Sequence, residues 1–218
     1  MVDKKDVLIA ESFPICLKGL SDLISLQPDL RMSGAFGEYD PFIAAVEKMR
    51  PAVVILSAVS DLDSIEMTKA VHAKHPKLAI VALSMIRDPF YAERVLKAGA
   101  RGYVLKQDAP DVIIKAIREV TAGRIFVSEI VANHIFQKFV NGKNYTCDSM
   151  IGCLNDREIA VFRYIGQGYS TKKIADKFNL SPKSVQSYRE SIKRKLNLAD
   201  SHDLIKTAVQ WMQNELVF

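Results

Sequence analysis

From Asp6 to Ala122 the chain alternates five short apolar runs with five amphipathic stretches. That alternation leaves few folds open, because it builds a parallel sheet covered by helices. The strand candidates are VLIA (Val7 to Ala10), RMSGAF (Arg31 to Phe36), VVILS (Val53 to Ser57), AIVALS (Ala79 to Ser84) and GYVLK (Gly102 to Lys106). Helical patterns follow at Phe13 to Ser25, Pro41 to Lys48, Ser64 to Lys74, Pro89 to Lys97 and Ala109 to Ala122. The expected fold is α/β, a five-stranded doubly wound domain. In such sheets polar chemistry gathers beyond the carboxyl ends of the strands, so the residues to read are Glu11, Ser12, Ser57, Ser84 and Lys106.

The last third reads differently. It predicts a small all-α domain of four helices, at Asp156 to Gly166, Thr171 to Phe178, Pro182 to Lys195 and Ser201 to Leu216. Asn155 with Glu158 three residues on has the capping-box spacing, and Gly168 supplies a left-handed turn. Ser170 caps the second helix, whose Ile174, Ala175 and Phe178 fall at helical spacing. Asn179 and Leu180 break it. Ser181 then caps the third helix, with Pro182 at its first position, where a missing N–H costs nothing. Val185, Tyr188, Ile192 and Leu196 are expected to form its buried stripe. Two capped helices joined by so short a turn are a helix-turn-helix, and the second helix suits the DNA major groove.

Charge agrees with that assignment. The 218 residues carry a net +5, and Ser170 to Leu198 holds eight Lys/Arg against Asp176 and Glu190, so the rest of the chain is close to neutral. A basic excess on one helix pair is the electrostatic footprint of a nucleic-acid binder. At 49% hydrophobic content the chain can bury a core in each of two domains. No apolar run reaches the ~18 residues of a membrane span, and MVDKKDVLIAES lacks a signal-peptide core, so a cytoplasmic protein is expected. Cys16, Cys147 and Cys153 are odd in number, without metal-ligand spacing, and are expected to be reduced.

At LIAESFPICLKGL and at AGARGYVLK (Ala98 to Lys106) the chain resembles the receiver domain of bacterial response regulators. Pro14 and Gly19-Leu20 are similar to the first helix of the branch that carries a LuxR-type (NarL/FixJ) DNA-binding domain. LNDREIAVFRYIGQGYSTKKIA resembles that branch's first two DNA-domain helices. The resemblance implies a receiver-like domain at 1–124, a linker with a short helix at 125–150 and a LuxR-type helix-turn-helix domain at 151–218. It also implies that Ser84 and Lys106 stand where relatives contact and sense a phosphoryl group.

The chain departs from that pattern at its chemistry. Ser57 stands where the family's phospho-accepting Asp would stand, and a carboxylate is the nucleophile that forms an acyl phosphate. Glu11 and Ser12 stand where two adjacent carboxylates would help hold Mg²⁺. The N-terminal domain is therefore read as a pseudo-receiver, with no cofactor and with Mg²⁺ binding lost or weak. Lys106 is expected to pair with Glu11. Two rescue readings place phosphate on Asp61 or Asp63, or on Ser57 through a serine kinase. Phe90, Tyr91 and Tyr103 put aromatics on the face of the fourth helix and fifth strand, where relatives dimerise or dock.

Between the domains a helix is predicted from Ser128 to Phe139, with a polar boundary at Asn141 to Met150 and His134 on the helix surface. The DNA-facing set is Lys172, Lys183, Ser184, Gln186, Ser187, Arg189, Glu190, Lys193 and Lys195. Gln186 and Ser187 are assigned to base edges, Lys183 to bases or phosphate, and Arg189, Lys193 and Lys195 to phosphates. Glu190 would be repelled by the backbone unless it accepts from a cytosine amino group or is neutralised by Lys193 or Arg194. Leu204, Ile205, Ala208, Val209 and Met212 form a stripe assigned to homodimerisation, with an inverted repeat of double-stranded DNA as the target. A regulatory protein or small ligand at the receiver would supply the signal. The sequence thus predicts a sequence-specific transcription regulator and not an enzyme. Its rivals are a conventional phosphorelay regulator, an adaptor that has lost DNA, and a small doubly wound enzyme; the last lacks a Gly-rich phosphate loop or a nucleophile elbow.

Overall fold

The computed structural model describes residues 4–57, 64–141, 149 and 151–216. Asp61, Asp63, Cys147 and most of the polar boundary before Ile151 lie outside the described residues. The chain divides into two compact units, Met1–Phe136 and Gln137–Phe218.

In the first unit, strands β1 (Lys5–Ala10), β2 (Leu30–Phe36), β3 (Val53–Leu56), β4 (Ala79–Ser84) and β5 (Gly102–Leu105) form one parallel sheet in the order β2-β1-β3-β4-β5. Helices α1 (Pro14–Ser25), α2 (Tyr39–Met49), α3 (Ser64–Lys74), α4 (Pro89–Lys97) and α5 (Pro110–Thr121) connect or follow them. The strands are near-continuous apolar runs because both sheet faces are covered. Val7, Ile9, Val53, Ile55, Val81 and Leu83 point to one face and meet Ile24 of α1 and Ile113, Ile117 and Val120 of α5. Their neighbours Leu8, Val54, Leu56, Ile80 and Ala82 are buried with opposite parity.

Val7 pairs with Met32 and Leu8 with Gly34, so Ser33 is the extra residue of a bulge. Gly34 leaves room there: a Cβ would sit 2.8 Å from the Phe36 ring, which would have to shift. The outer edge of β5 is partly closed by the chain itself, with Tyr103 N donating to Phe126 O and Phe126 N to Arg101 O, each at 2.9 Å. This single bridge covers the first part of that edge.

Helix α6 (Glu129–Asn141) follows, matching the helix expected from Ser128 to Phe139. His134 is not on its surface. It is 5% exposed, 3.0 Å from the Glu93 carboxylate of α4, with its ring against Phe90. Val131, one turn earlier, is buried beside it, so 131 and 134 face inward together. Tyr91 and Tyr103 are buried as well. Of the three aromatics expected on the docking face, these two are packing residues, while Phe90 is part-buried.

The second unit contains α7 (Asp156–Gly166), α8 (Thr171–Phe178), α9 (Pro182–Lys195) and α10 (Ser201–Leu216). Ile159, Phe162, Ile165, Ile174, Val185, Ile192, Leu204, Ala208 and Trp211 form its core. Gly166 permits α7 and α10 to touch, since a Cβ would meet the Ala208 carbonyl oxygen at 2.5 Å. No helix among the described residues is long and apolar enough to cross a membrane.

Candidate nucleic-acid interface and strand-end pocket

The helix pair α8 and α9 is set by its caps. Ser170 Oγ accepts from Lys173 N at 3.3 Å and Ser181 Oγ from Ser184 N at 3.0 Å, satisfying otherwise orphaned N–H groups. Between the helices Asn179 adopts φ 51°, the left-handed conformation that stops α8. Before them, Asn155 and Glu158 form a reciprocal capping box on α7, and Gly168 turns the chain at φ 81°.

Glu158 does more than cap. Its carboxylate is buried, accepts from Ser191 Oγ at 2.8 Å and pairs with Lys195 Nζ at 2.7 Å, tying the start of α7 to the end of α9. Burial works against its charge, but Lys195, the Asn155 N–H and Ser191 together hold its pKa below the ordinary glutamate value. Sequence reading gave Glu158 only the cap. Its place on the stripe with Val161, Phe162 and Ile165 was the available signal, since a carboxylate on a buried stripe needs a cation.

On α9 the exposed face carries Lys183, Gln186, Ser187, Glu190 and Arg194, with Ser184 half-buried. Gln186 Nε2 donates to Glu190 Oε1 at 2.7 Å, and Lys193 Nζ lies 2.9 Å from Glu190 Oε2. The Lys193 ammonium is the main reason the Glu190 carboxyl titrates below its ordinary value. Of the two cations expected to neutralise Glu190, the structure uses Lys193. Ser187 Oγ donates to the Lys183 carbonyl at 3.1 Å. On α8, Lys172 and Lys173 are exposed.

One phosphate assignment is corrected. Arg189 is 8% exposed, and burial pushes its guanidinium pKa down. It occupies the inner stripe with Val185, Ile192 and Leu196, while Tyr188 is only half-buried. The reason is angular: at 100° per residue, 189 lies closer to the 185–192–196 line than 188 does. Lys195 is exposed and pairs with Glu158. The dimerisation stripe is also split: Leu204 and Ala208 are buried in the core, Val209 and Met212 are part-buried, and Ile205 is 45% exposed.

At the carboxyl end of the sheet, Ser57 N bonds the Ala10 carbonyl at 2.9 Å and Lys106 N the Ser84 carbonyl at 2.8 Å, so these strand ends lie side by side. Glu11, Ser57 and Ser84 are buried and Ser12 is exposed. Lys106 Nζ lies 2.6 Å from Glu11 Oε2, a pair held by charge more than by hydrogen-bond alignment. Phe13 N donates to Glu11 Oε1 at 2.8 Å, and the Phe13 ring lies 4.8 Å from the Lys106 ammonium. Ser84 Oγ accepts from Ile86 N at 3.1 Å. The expected pairing of Lys106 with Glu11 is present. The Phe13 ring over it was not foreseen. Beside them a cavity of about 450 Å³ is lined by Leu20, Leu23, Val104 and Ile113 together with Lys106 and Asp108.

Two family descriptions match this chain: "Response regulator receiver domain" over residues 7–118 and "Bacterial regulatory proteins, luxR family" over 153–208. Oxygen regulatory protein NreC of Staphylococcus epidermidis is 28% identical over 210 residues, covering 94% of this chain and 96% of its own. A structure of the RcsB response regulator of Salmonella typhimurium superposes with a TM-score of 0.76 at 25% identity, over 96% of this chain and 98% of that one. RcsB of Salmonella enterica serovar Typhimurium bound to promoter rprA with the phosphomimetic BeF₃⁻ gives 0.72 at 26% identity, over 95% and 99%.

Proposed function

We propose, for a chain that belongs to the response regulator family and joins a receiver domain to a LuxR-type DNA-binding domain, that its control of transcription does not use an aspartyl phosphate. The chain is a DNA-binding transcription regulator of that family. The finer reading rests on one observation: at the end of β3 the side chain is a buried serine hydroxyl, Ser57, where phosphoryl transfer needs a carboxylate. The surroundings support it. Mg²⁺ takes near-octahedral oxygen coordination, usually with carboxylates. Here one Glu11 oxygen holds the Phe13 N–H and the other faces the Lys106 ammonium, so these residues do not fit the ion. A regulatory protein or a small ligand supplies the input instead, and the apolar cavity beside Lys106 suits an apolar molecule.

Duplex DNA is the ligand of α8 and α9. The promoter-bound state of RcsB supports this, as do the exposed Lys172, Lys173, Lys183 and Arg194. A homodimer on an inverted repeat would place two copies of α9 in successive major grooves. Ile205 and its part-buried neighbours Val209 and Met212 are what remains of the stripe for that contact.

The test is acetyl phosphate with Mg²⁺, read by intact mass and by DNA affinity. The expected result is no added phosphoryl group and unchanged affinity. A mass gain lost in Asp61→Ala or Asp63→Ala would overturn the reading and identify the acceptor.

A further inference from the structure

The Gln186–Glu190–Lys193 chain of contacts lies on the outward side of α9 and does not contribute to the core. A carboxylate on a DNA-facing helix is repelled by phosphate, so its presence calls for a role. Its two oxygens are both occupied: Oε2 by the Lys193 ammonium at 2.9 Å and Oε1 by the Gln186 amide N–H at 2.7 Å. Lys193 is mostly buried, with 17% of its side chain exposed, so the cation is held from within while Gln186 is exposed.

This arrangement fixes which way the Gln186 amide points. Turning the amide over would set its carbonyl oxygen against the Glu190 carboxylate, acceptor against acceptor, and lose the hydrogen bond. With Glu190 taking the N–H anti to the carbonyl, Gln186 retains its carbonyl oxygen and the syn N–H on one edge. That edge, one acceptor beside one donor, matches the N6 donor and N7 acceptor of adenine. Guanine shows two acceptors, N7 and O6, and would face the locked oxygen with repulsion. A free glutamine could instead swing its amide nitrogen toward either guanine atom.

We infer that Glu190 is a positioning residue which acts through Gln186, locking its amide so that α9 prefers adenine over guanine at one operator base. The inference rests on the DNA-binding reading of α9 and adds its base preference. Glu190 itself touches no base. Lys193 holds the carboxylate in place and offsets its charge.

The experiment is selection of duplexes from a randomised library by the full chain, for the wild type and for Glu190→Ala, Glu190→Gln and Gln186→Ala, with thermal melts confirming that each variant is folded. The wild type is expected to enrich adenine over guanine at one position by about tenfold, the discrimination typical of a good bidentate pair. Glu190→Ala and Gln186→Ala should reduce that ratio to about threefold or less. Glu190→Gln, which keeps an acceptor oxygen without the charge, should retain it. Both Glu190 variants should also bind every sequence more tightly, because a negative charge leaves the interface, so base preference and affinity separate. Adenine preference that survives in Glu190→Ala, or a wild-type motif with no adenine at any contacted position, overturns this inference alone. A wild type that enriches no sequence overturns the DNA-binding reading and this one with it.

Discussion

Two ion pairs show how much depends on single residues. Glu158 is buried and joins α7 to α9 through Lys195 and Ser191. Removing the carboxylate in Glu158→Ala leaves a capping N–H and Lys195 without their partner, and is expected to cost about 3 kcal/mol in urea unfolding. The pH dependence follows from the direction of its shift. Its folded pKa is depressed, so the stabilisation is full above the unfolded value near 4.3 and fades as pH falls through the lower folded value. The wild type should therefore lose stability below about pH 4.3 more steeply than Glu158→Gln, as denaturant midpoints taken from pH 6 to 3 would show. At the sheet end the partner of a buried charge is again the issue. Lys106→Met alone strands the Glu11 carboxylate and should destabilise the first unit by about 3 kcal/mol, whereas Lys106→Met with Glu11→Gln should recover most of that loss. Equal stability of the single and double variants would mean that the pair is solvated and contributes little.

At the level of elements, the same residues that end the helices in the structure are visible in the sequence. Helices α7, α8 and α9 begin where Asn155, Ser170 and Ser181 place them, and the left-handed Gly168 and Asn179 follow the ends of α7 and α8, because caps act through bonds within three residues. The strands were equally legible, as apolar runs too short for helices. What the sequence did not disclose depends on contacts distant in the chain. The depth of Arg189 follows from a difference of a few tens of degrees around α9, which a pattern of apolar letters assigns to Tyr188 instead. Leu204 and Ala208 belong to the core because Gly166 admits α10 against α7, a contact set 42 residues away from Ala208. His134 looked like a surface residue because its partner Glu93 lies 41 residues earlier. That pair makes a prediction for α6. Its first two turns are anchored at Val131 and His134, so His134→Ala should speed amide exchange across 129–136 by about tenfold while β1 and β3 keep their protection. Unchanged exchange in α6 would mean that Val131 alone holds it.

For the molecule as a whole, the charge balance decides how DNA binding responds to salt. Eight cations between Ser170 and Leu198 would predict a strongly electrostatic ligand. The structure divides them. Lys193 and Lys195 are paired with Glu190 and Glu158, Arg189 is buried, and Lys177 lies over the rings of Tyr164 and Tyr169. Lys172, Lys173, Lys183 and Arg194 are exposed and make no ion pair among the described residues. If those four each neutralise one phosphate, log K should fall against log salt with a slope of about −3.6 per copy, twice that for a bound pair. Engagement of all eight would give about −7 per copy. Fluorescence anisotropy on one labelled duplex between 50 and 200 mM salt, with the bound stoichiometry measured alongside, separates the two. A slope near −7 per copy would show that Glu158 and Glu190 surrender their lysines on binding, so that DNA competes with the ion pair that ties α9 to α7. The expected shallower slope means that this pair persists on DNA, leaving sequence preference to the outward side chains of α9 and not to bulk charge.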